Sequence, residues 1–183
     1  MNIGIICYAS VGGSGIVATE LAKALADRGH QVHLVSTDPP FRLGDYQAGL
    51  VFHQGNTPSY PLFREPQYVL SLANKVVQVA REFPLQIIHA HYAIPHATAA
   101  LLSKQVLESG GHAVPRVVTT LHGTDITLVG SDPSFSEIVA YSIETSDGVT
   151  AVSESLRAAT RRELGVRLHV HLVGTPRDLE RAA

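Results

Sequence analysis

The sequence predicts an α/β domain built on a Rossmann-like parallel sheet with helices on both faces. Short, continuous apolar runs such as residues 3–7 and 32–35 alternate with longer segments whose apolar residues recur at helical spacing, such as 17–25. Glycine-rich or proline-rich loops separate several of these segments. Strands that alternate with helices need crossover connections, and such connections make neighbouring strands parallel.

The individual elements follow this alternation along the chain. Strands are predicted at residues 3–7, 32–35, 50–52, 85–89, 116–121 and 148–152, with a last strand at 168–173. Helices are predicted after the glycine-rich turn up to Gly29, at 67–82, at 95–107, from about Pro133, and after Ser153. Ser134 and Glu137 have the spacing of a capping box, and Ser153 is the predicted N-cap of the last helix.

Composition limits the range of functions. The 183 residues suit one domain, 45% of them are hydrophobic, and the net charge of −2 gives no electrostatic basis for binding nucleic acid or an anionic membrane. The single cysteine, Cys7, excludes an intramolecular disulfide and fits a cytoplasmic protein. The apolar start lacks a basic leader, and no apolar run approaches the ~20 residues that span a bilayer. We therefore interpret the start as a strand.

A glycine-rich turn at residues 11–15 lies between the first strand and the first helix. Glycine lets the backbone approach a ligand closely, and a helix N-terminus offers free N–H groups, so a diphosphate or a carboxylate would suit the turn. Two alternatives stay open. One is a tight turn without a ligand. The other is a dinucleotide fingerprint formed by Gly13, Gly15 and Ala18, with Asp38 as the ribose ligand, although residues 8–12 make this loop longer than that fingerprint requires.

Histidines mark the end of another predicted strand. His89 and His91 alternate onto one side of it, Tyr92 follows directly, and His96 lies just beyond. The H-x-H pair is compatible with a metal site, but no acidic residue stands beside it. The other interpretation is that these histidines pack in the core with satisfied hydrogen bonds. Tyr92 is better placed to present its hydroxyl to a ligand.

Residues 119–127 combine hydroxyls, an imidazole and a carboxylate after the strand at 116–121. Thr120, His122 and Asp125 could bind a sugar, because sugars are recognised through dense hydrogen bonds. The alternative is that Thr124 or Asp125 only caps a turn. No G-x-S-x-G or G-x-x-x-x-G-K-[ST] motif occurs, which argues against an α/β-hydrolase and a P-loop enzyme.

Taken together, these motifs resemble a known family. The segments that carry the resemblance are residues 7–21, 40–43, 89–96, 119–127, 131–133 and 150–153. In this order they are similar to the N-terminal half of the GT-B glycosyltransferases of family 4, from residue 1 to about 164. Each motif alone is modest, and the specificity comes from their order and spacing.

The resemblance implies a retaining transfer of N-acetylglucosamine from UDP-N-acetylglucosamine to the hydroxyl of L-malate, a step of bacillithiol biosynthesis. It implies no metal or other cofactor, and a homodimer. It places Gly13 and Ser14 near the donor diphosphate and the acceptor, Tyr92 and Thr120 at the acceptor, and His122 on the transferred sugar as the catalytic residue. To these we add Arg42, because a dianionic acceptor needs a cation and this arginine follows the second strand.

The sequence departs from the family pattern in two places. The helix before residues 146–153, where the family places an arginine for the acceptor carboxylate, has Ala140, Tyr141 and Ser142. The second departure is the end of the chain. We expect an acceptor-side domain at 1–165, a truncated or atypical tail at 166–183, and no nucleotide-sugar domain. We therefore expect the chain alone to be inactive. Two other classes stay open: an NAD(P)-binding oxidoreductase domain and a non-catalytic α/β partner module.

Overall fold

The described part of the computed structural model, residues 1–59, 61–62, 65–166 and 170–172, contains one parallel sheet. Its seven strands are β1 Asn2–Ile6, β2 Gln31–Ser36, β3 Leu50–Gln54, β4 Ile87–His91, β5 Arg116–Leu121, β6 Gly148–Ala151 and β7 Val170–Leu172. They lie in the order β3-β2-β1-β4-β5-β6-β7, and each pair of neighbours is parallel. The chain reverses its direction of travel across the sheet at β1, which leaves a crevice beyond the carboxyl ends of β1 and β4.

Helices connect the strands. The described helices are α1 Gly13–Asp27, α2 Tyr68–Glu82, α3 Thr98–Ser109, α4 Thr124–Thr127, α5 Ser136–Glu144 and α6 Glu154–Leu164. A π-helical turn, Ala93–Ala97, precedes α3. None of the described helices has the length and apolar character needed to cross a membrane.

Strand side chains alternate between two helical layers. Ile5 is fully buried in a cluster that contains residues of α1, whereas its neighbour Ile6 is buried with residues of α2 and α3. A third cluster joins Leu121 of β5 to α5 and α6. Because consecutive residues of a strand point to opposite faces, both faces of the sheet are covered. The predicted fold class, a Rossmann-like parallel sheet between helices, is confirmed.

Two predicted boundaries differ in the structure. β4 begins at Ile87 rather than at residue 85, because pairing with β1 starts at Ile3 opposite Ile87. The helix predicted at 95–107 is interrupted. Ile94 has extended backbone angles (φ −128°, ψ 143°) inside the π-helical turn, and the regular helix α3 starts only at Thr98.

The two predicted caps have different outcomes. The Ser134 cap is wrong: α5 starts at Ser136 without a side-chain cap bond, and the Asp132 carboxylate instead accepts the Ser134 N–H at 2.8 Å. The Ser153 cap is confirmed, since its hydroxyl accepts the Leu156 N–H at 3.2 Å.

The sheet continues past the predicted domain boundary at residue 165. Val170–Leu172 pairs with β6 in parallel register and therefore belongs to the same sheet. Residues 168, 169 and 173 of the predicted last strand, and the tail up to residue 183, lie outside the described residues.

Candidate active site

The predicted site residues gather at the carboxyl edge of the sheet. Tyr92 follows β4, and His122 follows β5. Their rings lie with centroids 4.9 Å apart, so the expectation that both occupy the same edge is confirmed. Tyr8 follows β1, and its ring lies 5.7 Å from that of Tyr92, which brings the glycine-rich turn to the same place.

The glycine-rich turn opens α1 as predicted. Gly12 is the N-cap and has no side-chain hydrogen bond, so the first turn of the helix relies on other groups for its free N–H donors. Gly15 allows a close approach of the backbone: a Cβ there would clash with the Ser10 carbonyl oxygen and would lie 3.0 Å from that of Tyr8. Gly13, in contrast, faces open space, and Ser14 is buried. The turn is therefore folded back on the end of β1.

Tyr92 has an unusual backbone conformation. Its φ of 88° is the one positive value among the described non-glycine residues, and a bulky residue rarely adopts it. Two hydrogen bonds hold it: its N–H donates to the Thr120 carbonyl at 2.9 Å, and its carbonyl accepts the Ala97 N–H at 3.1 Å. Strain of this kind is found where surrounding structure fixes a residue for function. Here it aims the ring of Tyr92 across the edge of the sheet.

Four histidines form a network beneath this edge, of which His91 and His96 are buried and His89 and His122 are partly buried. The ring of His91 stacks between those of His89 and His122, at centroid distances of 4.8 and 5.1 Å. His91 Nδ1 and His122 Nε2 are 2.9 Å apart. Burial, with a smaller effect of neighbouring histidines, lowers the pKa of His89 and His96 to about 4, and burial alone does so for His122. The pKa of His91 also falls well below its usual value for the same reasons. The network is neutral at neutral pH.

Thr120 belongs to this network. Its hydroxyl lies 2.7 Å from His89 Nε2 and 2.7 Å from the Thr150 hydroxyl, and the residue is 2% exposed. Its hydroxyl therefore links β4, β5 and β6 just below the edge where Tyr92 and His122 lie.

Asp125 has both carboxylate oxygens committed to the backbone. One accepts the N–H groups of His122 and Gly123 at 3.1 and 2.9 Å, and the other accepts that of Ala93 at 3.2 Å. The side chain is buried. Gly123, with φ of 116°, makes the sharp turn that lets the carboxylate reach back. Asp125 thus joins the loop after β5 to the turn after β4.

Arg42 is not part of this cluster of contacts. It lies in the loop after β2, its guanidinium is 3.5 Å from the Glu20 carboxylate, and its carbonyl accepts a hydrogen bond from Lys23. Both partners belong to α1. Among the described contacts, none joins Arg42 to Tyr92 or Thr120.

A second aromatic cluster was not predicted from the sequence. The Tyr8 ring packs against His96 at 4.3 Å and stacks on Tyr68 at 6.3 Å. His96 Nδ1 lies against the His91 carbonyl and must donate to it, so Nε2, 3.1 Å from the Tyr68 hydroxyl, accepts. Tyr8, directly after the first strand, could have been found by its position alone.

Two clefts adjoin the site. One, of about 360 Å³, lies at the ends of β5 and β6 and is lined by His122, Gly123, Thr127, Val152, Ser153, Ser155, Leu156 and Ala159. The other, of about 510 Å³, is mostly apolar and is lined by Tyr8, Val69, Ile94, Pro95, Thr98, Val129, Phe135 and Ile138. The ring of His122 therefore borders a space between the β5 loop and α6.

The metal interpretation of the H-x-H pair finds no support in the geometry. Within the described ranges, no group of three or more histidine, cysteine, aspartate and glutamate side chains is arranged to hold a metal ion. His89 and His91 instead bond to Thr120 and His122. This agrees with the core packing that the sequence left open, except that Nε2 of His91 is buried without a hydrogen-bond partner within the described residues.

The glycine turn, Tyr92 and His122 all lie within a segment that a family model matches. The chain belongs to glycosyltransferase family 4, whose model matches residues 11–181. The matched segment includes Gly13, Gly15 and Ala18 of the glycine-rich turn.

Within the family, a relative in Bacillus anthracis is particularly similar. The chain is 51% identical over 156 residues to its N-acetyl-alpha-D-glucosaminyl L-malate synthase, over 85% of this chain and 40% of the relative. An uncharacterized glycosyltransferase of Methanocaldococcus jannaschii is 24% identical over 95% of this chain and 46% of its own length. The chain thus spans less than half the length of these two curated relatives.

Solved structures agree with the fold. A glycosyltransferase from Rickettsia africae superposes with a TM-score of 0.65 at 17% identity, over 99% of this chain and 48% of that one. Sucrose-phosphate synthase from Thermosynechococcus elongatus gives 0.63 at 20% identity, over 98% and 93%. Anabaena Alr3699/HepE in complex with UDP-glucose gives 0.59 at 16% identity, over 100% and 48%. These similarities support the GT-B fold assignment.

Proposed function

We propose that this chain forms the acceptor-side half of a retaining glycosyltransferase that moves N-acetylglucosamine from UDP-N-acetylglucosamine to L-malate in bacillithiol biosynthesis. The observation that carries the proposal is the 51% identity with the Bacillus anthracis relative of that name. The convergence of the α1 N-terminus, Tyr92 and His122 at one edge of the sheet supports it.

The proposed roles follow from this edge. The N–H groups of Gly13 and Ser14 face the donor diphosphate, where the partial positive charge of the α1 N-terminus is favourable. The Tyr92 hydroxyl contacts the acceptor. His122 contacts the transferred sugar from the cleft that it lines. Retaining transfer of this kind depends on position and on charge stabilisation rather than on a metal or another cofactor, so none is proposed.

Thr120 and Asp125 act beneath the surface in this proposal. Thr120 holds His89 and β6 together, and Asp125 holds the backbone of His122 against the turn after Tyr92. Both residues would affect ligand binding chiefly by fixing the positions of their neighbours.

The proposal needs a source of positive charge to bind the two carboxylates of malate. Helix α5 carries neither lysine nor arginine, and Ser142, where the family pattern has an arginine nearby, is buried and bonds the Thr98 hydroxyl at 2.9 Å. Two sources remain in the proposal: the N–H groups at the start of α1, and Arg42 after release from Glu20. Charge-assisted hydrogen bonds contribute about 1.5–3 kcal/mol each.

We propose that the chain needs a nucleotide-binding half to turn over. Catalysis requires donor and acceptor to be held together in a closed, water-poor cleft. This chain spans 40% of the relative and offers one wall of such a cleft. A homodimer, which the resemblance implies, and a cytoplasmic location, which the single cysteine fits, complete the proposal. Sedimentation equilibrium tests the first and cell fractionation tests the second.

An assay with the remaining part of the Bacillus anthracis relative, supplied as a separate polypeptide, tests the function. Transfer to L-malate is expected only when both parts are present, and Tyr92→Phe and His122→Ala are expected to reduce it. Succinate, which lacks the hydroxyl, is the matched acceptor control. Turnover by the chain alone would show that the donor site lies in this half. Binding of NADH, detected by its fluorescence, would favour the oxidoreductase alternative instead.

A further inference from the structure

The rings of His91 and His122 are joined by one hydrogen bond. Their nitrogens, Nδ1 of His91 and Nε2 of His122, are 2.9 Å apart, which is a hydrogen-bond distance. Burial keeps both rings neutral, because it lowers the pKa of each below neutral pH. A neutral imidazole has one N–H donor and one acceptor nitrogen, so one ring donates and the other accepts.

The two possible arrangements differ at a single buried atom. If His122 donates, the proton of His91 sits on Nε2. If His91 donates, the proton of His122 sits on Nδ1, and Nε2 of His91 is a bare acceptor. Nε2 of His91 is buried and has no hydrogen-bond partner within the described residues. The first arrangement therefore leaves a buried N–H without an acceptor, and the second leaves only an unused lone pair.

The second arrangement is the more stable one, because buried N–H groups without an acceptor are rarer than buried acceptors without a donor. We propose that His91 is a positioning residue that holds His122 in the Nδ1–H tautomer, so that His122 presents a fixed N–H donor to the cleft at the ends of β5 and β6. The hydrogen bond at one nitrogen of a histidine sets the protonation of the other.

His122 is held firmly enough for this tautomer to matter. Its backbone N–H donates to Asp125, its ring stacks on His91, and the ring lines the cleft beside Gly123 and Ser153. Nδ1 of His122 has no hydrogen-bond partner in the described part of the chain, so its N–H is available to a ligand. If the proposed sugar transfer is correct, on which this step rests, the group facing it is an acceptor oxygen of the transferred sugar.

The tautomer can be read directly by NMR, without any ligand. Histidine-selective ¹⁵N labelling and long-range ¹H–¹⁵N correlation of the wild-type chain at neutral pH distinguish a protonated from a bare Nδ1. We expect His122 to carry its proton on Nδ1. The free imidazole side chain favours Nε2–H, so this result would not arise by default. The exposed His112 is the internal reference.

Two variants distinguish a positioning role of His91 from a role in packing alone. The amide of an asparagine can take the place of Nδ1, so His91→Asn should keep His122 in the Nδ1–H form. His91→Phe fills the space without a donor and should shift His122 towards Nε2–H. In the assembled enzyme, His91→Phe should raise KM for the sugar donor more than His91→Asn does.

Two outcomes overturn the proposal. One is a wild-type His122 with its proton on Nε2, which needs no variant to be observed. The other is a His122 tautomer that is unchanged in a folded His91→Phe. Both are independent of sugar transfer, so an inactive enzyme with the Nδ1–H tautomer would count against the proposed function alone.

Discussion

The Asp125 carboxylate accepts the backbone N–H of Ala93 at 3.2 Å and so joins the segments that follow β4 and β5. The other oxygen of the same carboxylate holds the N–H groups of His122 and Gly123. One side chain therefore sets the distance between the loop that carries His122 and the turn that follows Tyr92. The geometry of the site depends on a residue whose own oxygens are all used within the protein.

Replacing Asp125 should loosen both loops. Asp125→Ala leaves the Ala93 N–H buried without an acceptor, and each such group costs about 1–3 kcal/mol. We expect the free energy of unfolding, measured by urea titration, to fall by at least this amount. Thr127→Ala, which removes an exposed hydroxyl bonded to the Gly123 carbonyl in the same loop, should change it by less than about 0.5 kcal/mol. Equal effects of the two substitutions would contradict the assigned role of the carboxylate.

The glycine turn offers a matched pair of substitutions. A methyl group at Gly15 would lie 3.0 Å from the Tyr8 carbonyl and closer still to that of Ser10, whereas at Gly13 it would meet nothing within 4 Å. We expect Gly15→Ala to lower the free energy of unfolding by about 1–3 kcal/mol, as overpacking does, and Gly13→Ala to leave it within about 1 kcal/mol of the wild type. Thermal unfolding measures both. A Gly15→Ala protein as stable as Gly13→Ala would mean that the turn is not packed against the end of β1.

Stability should depend on pH through the buried histidines. An unfolded histidine binds its proton near pH 6.5, whereas His89, His96 and His122 have a pKa of about 4 in the fold because of burial. Between these values the unfolded chain binds more protons, so the free energy of unfolding falls as pH drops from about 6.5 to about 4 and is fully retained above that window. The urea midpoint of unfolding should therefore fall steadily as the pH is lowered from about 6.5 to about 4.

Two variants test whether the buried histidines cause this pH dependence. His96→Phe removes one of the buried groups and should reduce the slope, whatever its effect on stability at neutral pH. His112→Gln, which replaces an exposed histidine, is the comparison variant. A midpoint that stays constant across the window, or an equal slope in all three proteins, would show that these imidazoles are not the groups that titrate.

Arg42 is expected to matter for binding and not for stability. Its ion pair with Glu20 is 3.5 Å long, and both side chains are about half exposed, so it contributes little to folding. Arg42→Ala should therefore leave the thermal midpoint unchanged, while it weakens malate binding in an NMR titration. Glu20→Gln, which frees the guanidinium, should strengthen binding. Identical malate-induced shifts in the wild type and both variants would remove Arg42 from the acceptor site.

Strand periodicity predicted which residues lie together at the site. The rest of the site depends on side-chain directions, which the sequence does not show. Alternation placed His89 and His91 on one side of β4, and the position of Tyr92 and His122 after parallel strands placed them together. Sequence could not show that Asp125 turns inward, because that depends on the φ of 116° at Gly123. The Ser134 cap is wrong for a similar local reason: the Asp132 carboxylate accepts the Ser134 N–H, and the Asp132 carbonyl accepts those of the next two residues.

The central position of β1 has a consequence for synthesis of the protein on the ribosome. The first strand to emerge pairs early with β2 on one side, but its other edge waits for residues 87–90 of β4. Until those residues leave the exit tunnel, the nascent chain displays an open edge rich in isoleucine, the kind of surface that recruits chaperones or other nascent chains. The same delayed pairing brings the ring of Tyr8 against that of Tyr92. Translation pauses placed before the β4 codons would therefore be expected to lower the yield of native protein, and pauses after them would not.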